Sequence, residues 1–462
     1  MKRIFLIALA LVSGICSAQT FTVNNLAVNG TSSHTGAATF SIRPTFNGNT
    51  PWDSGNFNPS SYATLASPAL TGAPTAPTQA TGINNTTLAT TAYVANSKIC
   101  PSIMDHGGDK TGVSDNTAAF FSTAAASPSG QVCVSFPAGT FKFNSALSYT
   151  NPAAPSSILI KGAGQDVTTL VFANSTSGIN IVSNAPGSSA HIRDLTVATA
   201  QAAGGNAGIV LTQTSSLNQF SMSDIYNVTL RGNDNTGTGG SHYWSYGILI
   251  NGQDSVNVES VTVYGNGGAG VGLQCQGNGV QYAIYINISK SVFNGLGTGV
   301  VYSSYCQGMT ITQSNFQNDS IGFMVPSGAA GVLAQLQISD SQFQTSSDGI
   351  NIQTNVGGTM IHDNDIFVPV NHSGIFIANT NGGTIHGNTI NTDGTGTAGT
   401  SGIVLGSGAQ TFVIMGNQIG GVASCIQYQA GSSFNQNLGN ALACTTAVID
   451  NGTSNTKGVA TN

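Results

Sequence analysis

Charge is what this 462-residue chain has least of: 6% of its residues are Asp, Glu, Lys or Arg, and the formal net charge is −6. A surface that neutralises nucleic-acid phosphates needs clustered cations, so a nucleic-acid partner is excluded. Beyond the first twenty residues no run is long and apolar enough to cross a bilayer, and no membrane span is expected. No C-x-x-C pair is present, which argues against a thiolate metal site. Nor does the chain need a helix longer than a cap.

The start, "MKRIFLIALALVSGICSAQT", is a signal peptide with a basic tip, an apolar run and small residues before a cut after Ala18. Ile15 before Cys16 fits a lipid-attachment box poorly. The mature protein is therefore expected to be secreted or displayed at the cell surface. Its six remaining cysteines, Cys100, Cys133, Cys275, Cys306, Cys425 and Cys444, favour disulfides in that compartment. Sequence alone leaves connectivity and free buried thiols open. Cys275 and Cys306 follow adjacent repeats at similar depth and suggest one pair; Cys100 to Cys133 at the start and Cys425 to Cys444 at the end are the natural others.

What the chain has in quantity is repetition. A hexapeptide with apolar ends recurs as "IRDLTV" at 192, "IYNVTL" at 225, "VESVTV" at 258, "ISKSVF" at 288, "ITQSNF" at 311, "ISDSQF" at 338, "IHDNDI" at 361, "IHGNTI" at 385 and "IMGNQI" at 414, with starts 23 to 33 residues apart. Such a period marks a solenoid whose units bury their faces only against neighbours. A second frame, glycine and then alternating apolar residues, runs in step: "GIVL" at 208, "GILI" at 247, "GVGL" at 270, "GVVY" at 299, "GFMV" at 322, "GINI" at 349, "GIFI" at 374 and "GIVL" at 402. Period two means strand, and the leading glycine suggests a corner with positive φ. The fourth hexapeptide residue reads Leu195, Val228, Val261, Ser291, Ser314, Ser341, Asn364, Asn388, Asn417, a column suited to side-chain hydrogen-bond ladders, with asparagine tolerant of a left-handed corner.

Residues 19–98 are rich in Ser, Thr, Asn, Ala and Pro and lack this period. "RPTFNGNTPWDSGNF" and "SPALTGAPTAPTQATGINNTTLATTAYV" resemble segments of phage tail-fibre and tail-collar proteins, which implies a lead-in to a trimeric shaft and no chemistry. From residue 105, "DHGGDKTGVSDNTAAFFSTAAASPSGQVCVSFPAGTFKF" resembles the entry of pectate-lyase-like right-handed β-helix proteins, a group that includes tailspikes and glycosyl-hydrolase-like relatives. The resemblance rests on Asp105, Gly108, Asp109, Asp115, Asn116, Thr117 and Phe136 to Thr140. It implies an all-β, single-stranded, right-handed parallel β-helix with a short N-terminal capping helix, and a polysaccharide partner. The expected division is 1–18 leader, 19–98 tail-fibre-like segment, 99–440 β-helix and 441–462 tail. Asp115 reads as the cap of the helix, and Asp105 and Asp109 as turn formers.

Pectate lyases of that family use calcium held by clustered acids and a basic residue as base, whereas polygalacturonase-type relatives carry Asn-Thr-Asp, Asp-Asp, Gly-His-Gly and Arg-x-Lys signatures. Here "NTD" at 391–393 stands alone. The six basic residues of the domain, Lys110, Lys142, Lys161, Arg193, Arg231 and Lys290, are not expected beside a cluster of acids on successive rungs. No cofactor is expected except calcium, should lyase chemistry operate. One carboxylate pair follows from spacing: in "FQNDSIG" and "FQTSSDG", Asp319 and Asp348 fall two residues apart on adjacent rungs, about 8 Å, a separation suited to an inverting acid and base. His372 lies in the next such turn.

The insertion "RGNDNTGTGGSHYWSYG" at 231–247 brings Asp234, His242, Tyr243, Trp244 and Tyr246 together as a candidate sugar-stacking loop. His362 and His386 share a slot of successive hexapeptides, with Asp363 and Asp365 alongside; an isolated pair in a polar turn reads as surface, and no metal site is assigned. The third residue of the glycine strand, Val210, Leu249, Gly272, Val301, Met324, Asn351, Phe376, Val404 and Gln427, forms an outward, largely apolar stripe suited to a homotrimer axis. Two functions are expected: recognition with cleavage of a polysaccharide by a hydrolase or lyase, or a non-catalytic tail-fibre-like adhesin that binds glycans.

Overall fold

The computed structural model describes Thr75 and residues 100–458, apart from 128–129, 152–155, 174–176, 203–204, 215–221, 235–239 and 280. The chain divides into two units, Met1–Ala76 and Pro77–Asn462. The leader and nearly all of the tail-fibre-like segment lie outside the described residues.

Alternating sequence becomes a stack of parallel coils. Most coils give two strands to a 23-stranded sheet, those of Ser189–Thr199 and Ser223–Gly232 giving one continuous strand instead, and a further strand joins a 12-stranded sheet. The first residues of the hexapeptides align in register from Ile192 through Ile225, Val258, Ile288, Ile311, Ile338, Ile361 and Ile385 to Ile414. All are buried. The stack continues past residue 440, where Ala441–Ala443 and Thr446–Asp450 extend the two sheets.

The sharp bend inside the hexapeptide sits at its third residue, not its fourth. Asp194, Asn227, Ser260, Lys290, Gln313, Asp340 and Asp363 all have φ near +55°, and Gly387, Gly416 and Gly439 continue the column. The bend turns the fourth residue inward, where it is buried. Asn364 Nδ2 donates to Asn388 Oδ1 at 2.9 Å, Asn388 to Asn417 at 2.9 Å and Asn417 to Asn440 at 2.8 Å. In the serine stretch the hydroxyl accepts from the backbone above, as Ser314 Oγ does from Ser291 N at 3.3 Å. Each rung thus satisfies the polar group its neighbour buries.

The glycine frame has a different cause from the one its sequence suggests. Of the leading glycines, Gly270 does take the expected positive φ, +87°, but Gly247, Gly299, Gly322, Gly349 and Gly374 are not among the residues with positive φ. A Cβ at Gly299 would meet Gly322 O at 2.6 Å and the Phe316 ring at 2.5 Å, and Gly322 is equally crowded by Gly349 O and Phe343. Glycine is required because backbone and aromatic core approach too closely for any side chain. The core opposite is a stack of phenylalanines, with ring centroids 5.1 Å apart for Phe293 and Phe316 and 4.5 Å for Phe316 and Phe343. Register also moves one member of the outward stripe: Leu249 pairs with Gln274, not Gly272. Val301 and Val404 in that stripe are already buried within the chain, while Val210, Leu249, Met324 and Phe376 are half-buried.

Helix Thr117–Ala125 closes the first coil with Phe120 and Ala124 inward, Phe120 stacking on Phe136 at 6.5 Å. Its cap residue is Asn116; Asp115, one position earlier, accepts from Thr117 N at 3.1 Å and Asn144 N at 3.1 Å. Asp109 accepts from Thr111 and Ser114, which hold its carboxyl well below the usual range. Asp105 completes a capping box with Ser102. The three acids of the entry motif are turn and cap residues. The cysteines pair as Cys100–Cys133, Cys275–Cys306 and Cys425–Cys444.

Candidate functional site

Residues flanking the first hexapeptide position face out from the large sheet. Because coils stack in register, each forms a column: Lys161, Arg193, Tyr226 and Glu259 in one, Leu159, His191, Asp224 and Asn257 in the other.

Asp224 is the anchor. It lies directly below His191 and accepts a hydrogen bond from its Nδ1. It also takes a two-pronged contact from Arg193, with Nε to Oδ1 at 2.6 Å and Nη2 to Oδ2 at 2.8 Å. Burial pushes the Asp224 carboxyl up, but the hydrogen bonds from His191 and Arg193 outweigh it and hold the group below the usual carboxylate range. On the other side of the ring, Ser189 Oγ lies 3.0 Å from His191 Nε2. The sequence serine, histidine, aspartate is the order in which a nucleophile, its base and the group orienting that base are linked. Ser189 is 8% exposed, whereas Lys161, Arg193 and Tyr226 are open to solvent. Lower in the column, Lys290 Nζ donates to Glu259 at 2.8 Å. Arg193 and Lys290 thus each pair with a single acid of a neighbouring rung, and these partners, 31 residues apart, come together only through the register.

Around the bend the same coils form a cleft of ≈ 550 Å³, lined by Thr140, Lys142, Thr169, Val171 and Arg231 among others. Lys142 and Arg231 are separated in their column by the small residues Val171 and Ala198, so two cations stand at the ends of an uncharged floor. Arg231 also donates to Asp166 at 3.3 Å.

The residues singled out by spacing are placed differently. Asp319 is fully buried and accepts from Leu296 N at 2.8 Å; burial pushes its carboxyl up to about 8. Asp348 accepts from Ser373 N at 2.9 Å and Asn351 Nδ2 at 2.7 Å. Both staple one coil to the next, and a sealed carboxyl cannot share a water with its neighbour, so the pair is not an inverting acid and base. His372 Nδ1 lies 3.1 Å from Ser347 Oγ and 3.8 Å from Asp348. Trp244 is turned inward, 2% exposed, with Nε1 donating to Val197 O at 3.1 Å and its ring against Phe172. It is core and offers no stacking face to a sugar. Asp234 clasps the base of the insertion by accepting from Ser241 and His242 backbone N–H groups, and His242 lies 2.6 Å from Asn233 Oδ1. Tyr243 is half-buried, and Tyr246 lines a groove of ≈ 470 Å³ on the small sheet with Asn180, Val210 and Leu249.

The family model for right-handed β-helix regions matches residues 246–442. The solenoid is a right-handed parallel β-helix. Among solved structures, this β-helix is similar to an Azotobacter vinelandii mannuronan C-5 epimerase A-module, at 16% identity and TM-score 0.54, over 78% of this chain and 99% of that one. A surface adhesin of Streptococcus pneumoniae is matched at 12% identity and TM-score 0.43, over 77% of this chain and 93% of that one. The enzymatically active domain of tailspike protein 2 from bacteriophage CBA120 is matched at 16% identity and TM-score 0.44, over 73% and 47%. No curated protein matches the sequence. At 16% identity the likeness to the epimerase module is one of fold.

Proposed function

We propose that this protein is an exported β-helix that binds an acidic polysaccharide across the bend of its early coils and cleaves it there by β-elimination. The observation that carries the reading is the Asp224-anchored imidazole of His191 flanked by exposed Lys161, Arg193 and Tyr226. Removing the proton beside a uronate carboxylate needs a base, cations that stabilise the charge building on the carboxylate, and an acid for the leaving oxygen. His191 Nε2 supplies the base because Asp224 fixes the tautomer with Nδ1 protonated. Arg193 and Lys161 face the carboxylate, and the Tyr226 hydroxyl protonates the leaving group. Lys142 and Arg231 hold neighbouring anionic residues around the bend. Hydrolysis has less support, since among the described residues Asp319, Asp348 and Asp224 are all engaged by backbone or side-chain donors.

One observation favours a second reading at the same place. Ser189 Oγ at 3.0 Å from the imidazole gives His191 a hydroxyl to activate, and the reaction would then be hydrolysis of an ester on an acylated glycan. The proposal further includes a signal-directed secreted or surface location and a homotrimer packed through Val210, Leu249, Met324 and Phe376, checked by the mature N-terminus and the mass in solution.

The test is incubation of the mature protein with acidic, neutral and acylated polysaccharides, with and without calcium. Unsaturated ends support elimination, reducing ends without unsaturation indicate hydrolysis, and released acid indicates the esterase. Glycan binding without any product would replace the enzyme by an adhesin.

A further inference from the structure

The column that carries Lys161 and Arg193 in the early coils carries two histidines in the later ones. His362 and His386 are directly in register, with rings 4.8 Å apart and 6° from parallel. Asp363 occupies the bend with φ of +56°. That conformation carries its carboxylate over Gly387, where a Cβ would meet Asp363 Oδ1 at 2.3 Å. Glycine at 387 therefore leaves the room that the carboxylate fills. Asp363 Oδ2 lies 2.9 Å from His362 Nδ1. One ligand atom from each of His362, Asp363 and His386 falls within 4.8 Å of the others, and among the described residues no other His, Cys, Asp or Glu trio gathers so closely.

We propose that His362, Asp363 and His386 form a binding site for one divalent transition-metal ion of the zinc or copper class. Metal to ligand bonds of about 2.0–2.2 Å place ligand atoms roughly 3–4 Å apart, within reach of small ring rotations from the stacked arrangement. The next residue in the column is Met415, 41% exposed, whose thioether adds a soft donor on the adjoining coil. Gln337 Nε2 lies 3.0 Å from His362 Nε2 and orients that ring from the coil above. An acidic groove of ≈ 540 Å³, lined by Asp340, Asp363 and Asp365 with the neutral residues between them, adjoins the site and draws cations toward it. Two imidazoles with one carboxylate select borderline and soft ions; calcium requires six to eight oxygens, which this trio cannot supply. The site is distinct from the His191 cluster and independent of the activity proposed there.

Untagged mature protein, stripped with chelator, is titrated with Cu²⁺, Zn²⁺ and Ca²⁺ and followed by calorimetry, with the copper-loaded sample examined by electron paramagnetic resonance. The expected result is one Cu²⁺ or Zn²⁺ per chain, no heat from Ca²⁺, and hyperfine structure from two imidazole nitrogens. His362→Ala and His386→Ala should each weaken binding at least tenfold, Asp363→Asn less, and His106→Ala not at all. Binding unchanged in both histidine variants would overturn the proposal. Should a variant not fold, a copper spectrum of the parent protein with fewer than two nitrogen ligands would overturn it equally.

Discussion

The coils from Ser157 to Tyr264 and those from Ile288 to Leu442 share the same parallel stacking, yet they divide polarity in opposite ways. In the early coils the inward fourth position is Leu195, Val228 and Val261, and the polar groups stand outside, where Asp224 gathers His191 and Arg193. In the later coils the inward column is a closed ladder of Ser and Asn, and the outer face is mostly uncharged Asn, Gln, Ser and Thr until the His362 and His386 pair. A repeat can place polarity inside for register or outside for chemistry. Here the first is spent where coils are uniform, and the second where they are irregular.

The comparison can be broken first at the uniform coils. Phe316→Ala removes the middle ring of the phenylalanine stack and should cost about 3–5 kcal/mol in denaturant unfolding. Asn388→Ala removes the acceptor shared by Asn364 N and Nδ2 and the donor to Asn417 Oδ1 and Ile361 O, with an expected loss of about 3 kcal/mol, against about 1 kcal/mol for Ser291→Ala, which loses one accepted and one donated bond. Equal losses at the two sites would show that the ladder is not what holds register.

A pH series sharpens the same point. Asp319 is pushed up to about 8 by burial, so between the unfolded carboxyl's pKa and about 8 the folded chain holds a proton that the unfolded chain has lost. Stability therefore falls as pH rises through that window, by about 1.4 kcal/mol per pH unit from this group, and levels off above it. Asp319→Asn should flatten that slope; an unchanged slope would place the titration elsewhere. The smallest effect belongs to the exposed ion pair: Glu259→Gln should leave the unfolding midpoint within the scatter of repeat measurements, as expected if outer-face charge in the early coils does not hold the fold.

The repeat, the register, the side-chain ladder and the Cys275–Cys306 pairing were legible because each depends on residues recurring at one position of the period. The bend position was misplaced by one residue because Asn suits both a left-handed corner and an inward ladder, and only backbone angles separate the two. The glycine column was legible as a pattern but not as a cause, since crowding by Gly322 O and Phe316 arises between coils. The His191 cluster escaped for a related reason: His191, Arg193 and Asp224 are unrepeated outward residues, joined only by stacking a coil 33 residues later. Trp244 misled because a Gly-rich, aromatic insertion reads as a surface loop. Its indole instead fills the core beside Gly208, which leaves it room.

The most direct test of the account is the rate of acidic-polysaccharide cleavage by the parent protein, His191→Ala and His386→Ala, compared under one condition. General-base loss predicts a fall of about 10²–10⁴-fold for His191→Ala and parent-like turnover for His386→Ala. Full activity in His191→Ala, or loss in His386→Ala alone, would contradict the assignment of chemistry to the early coils.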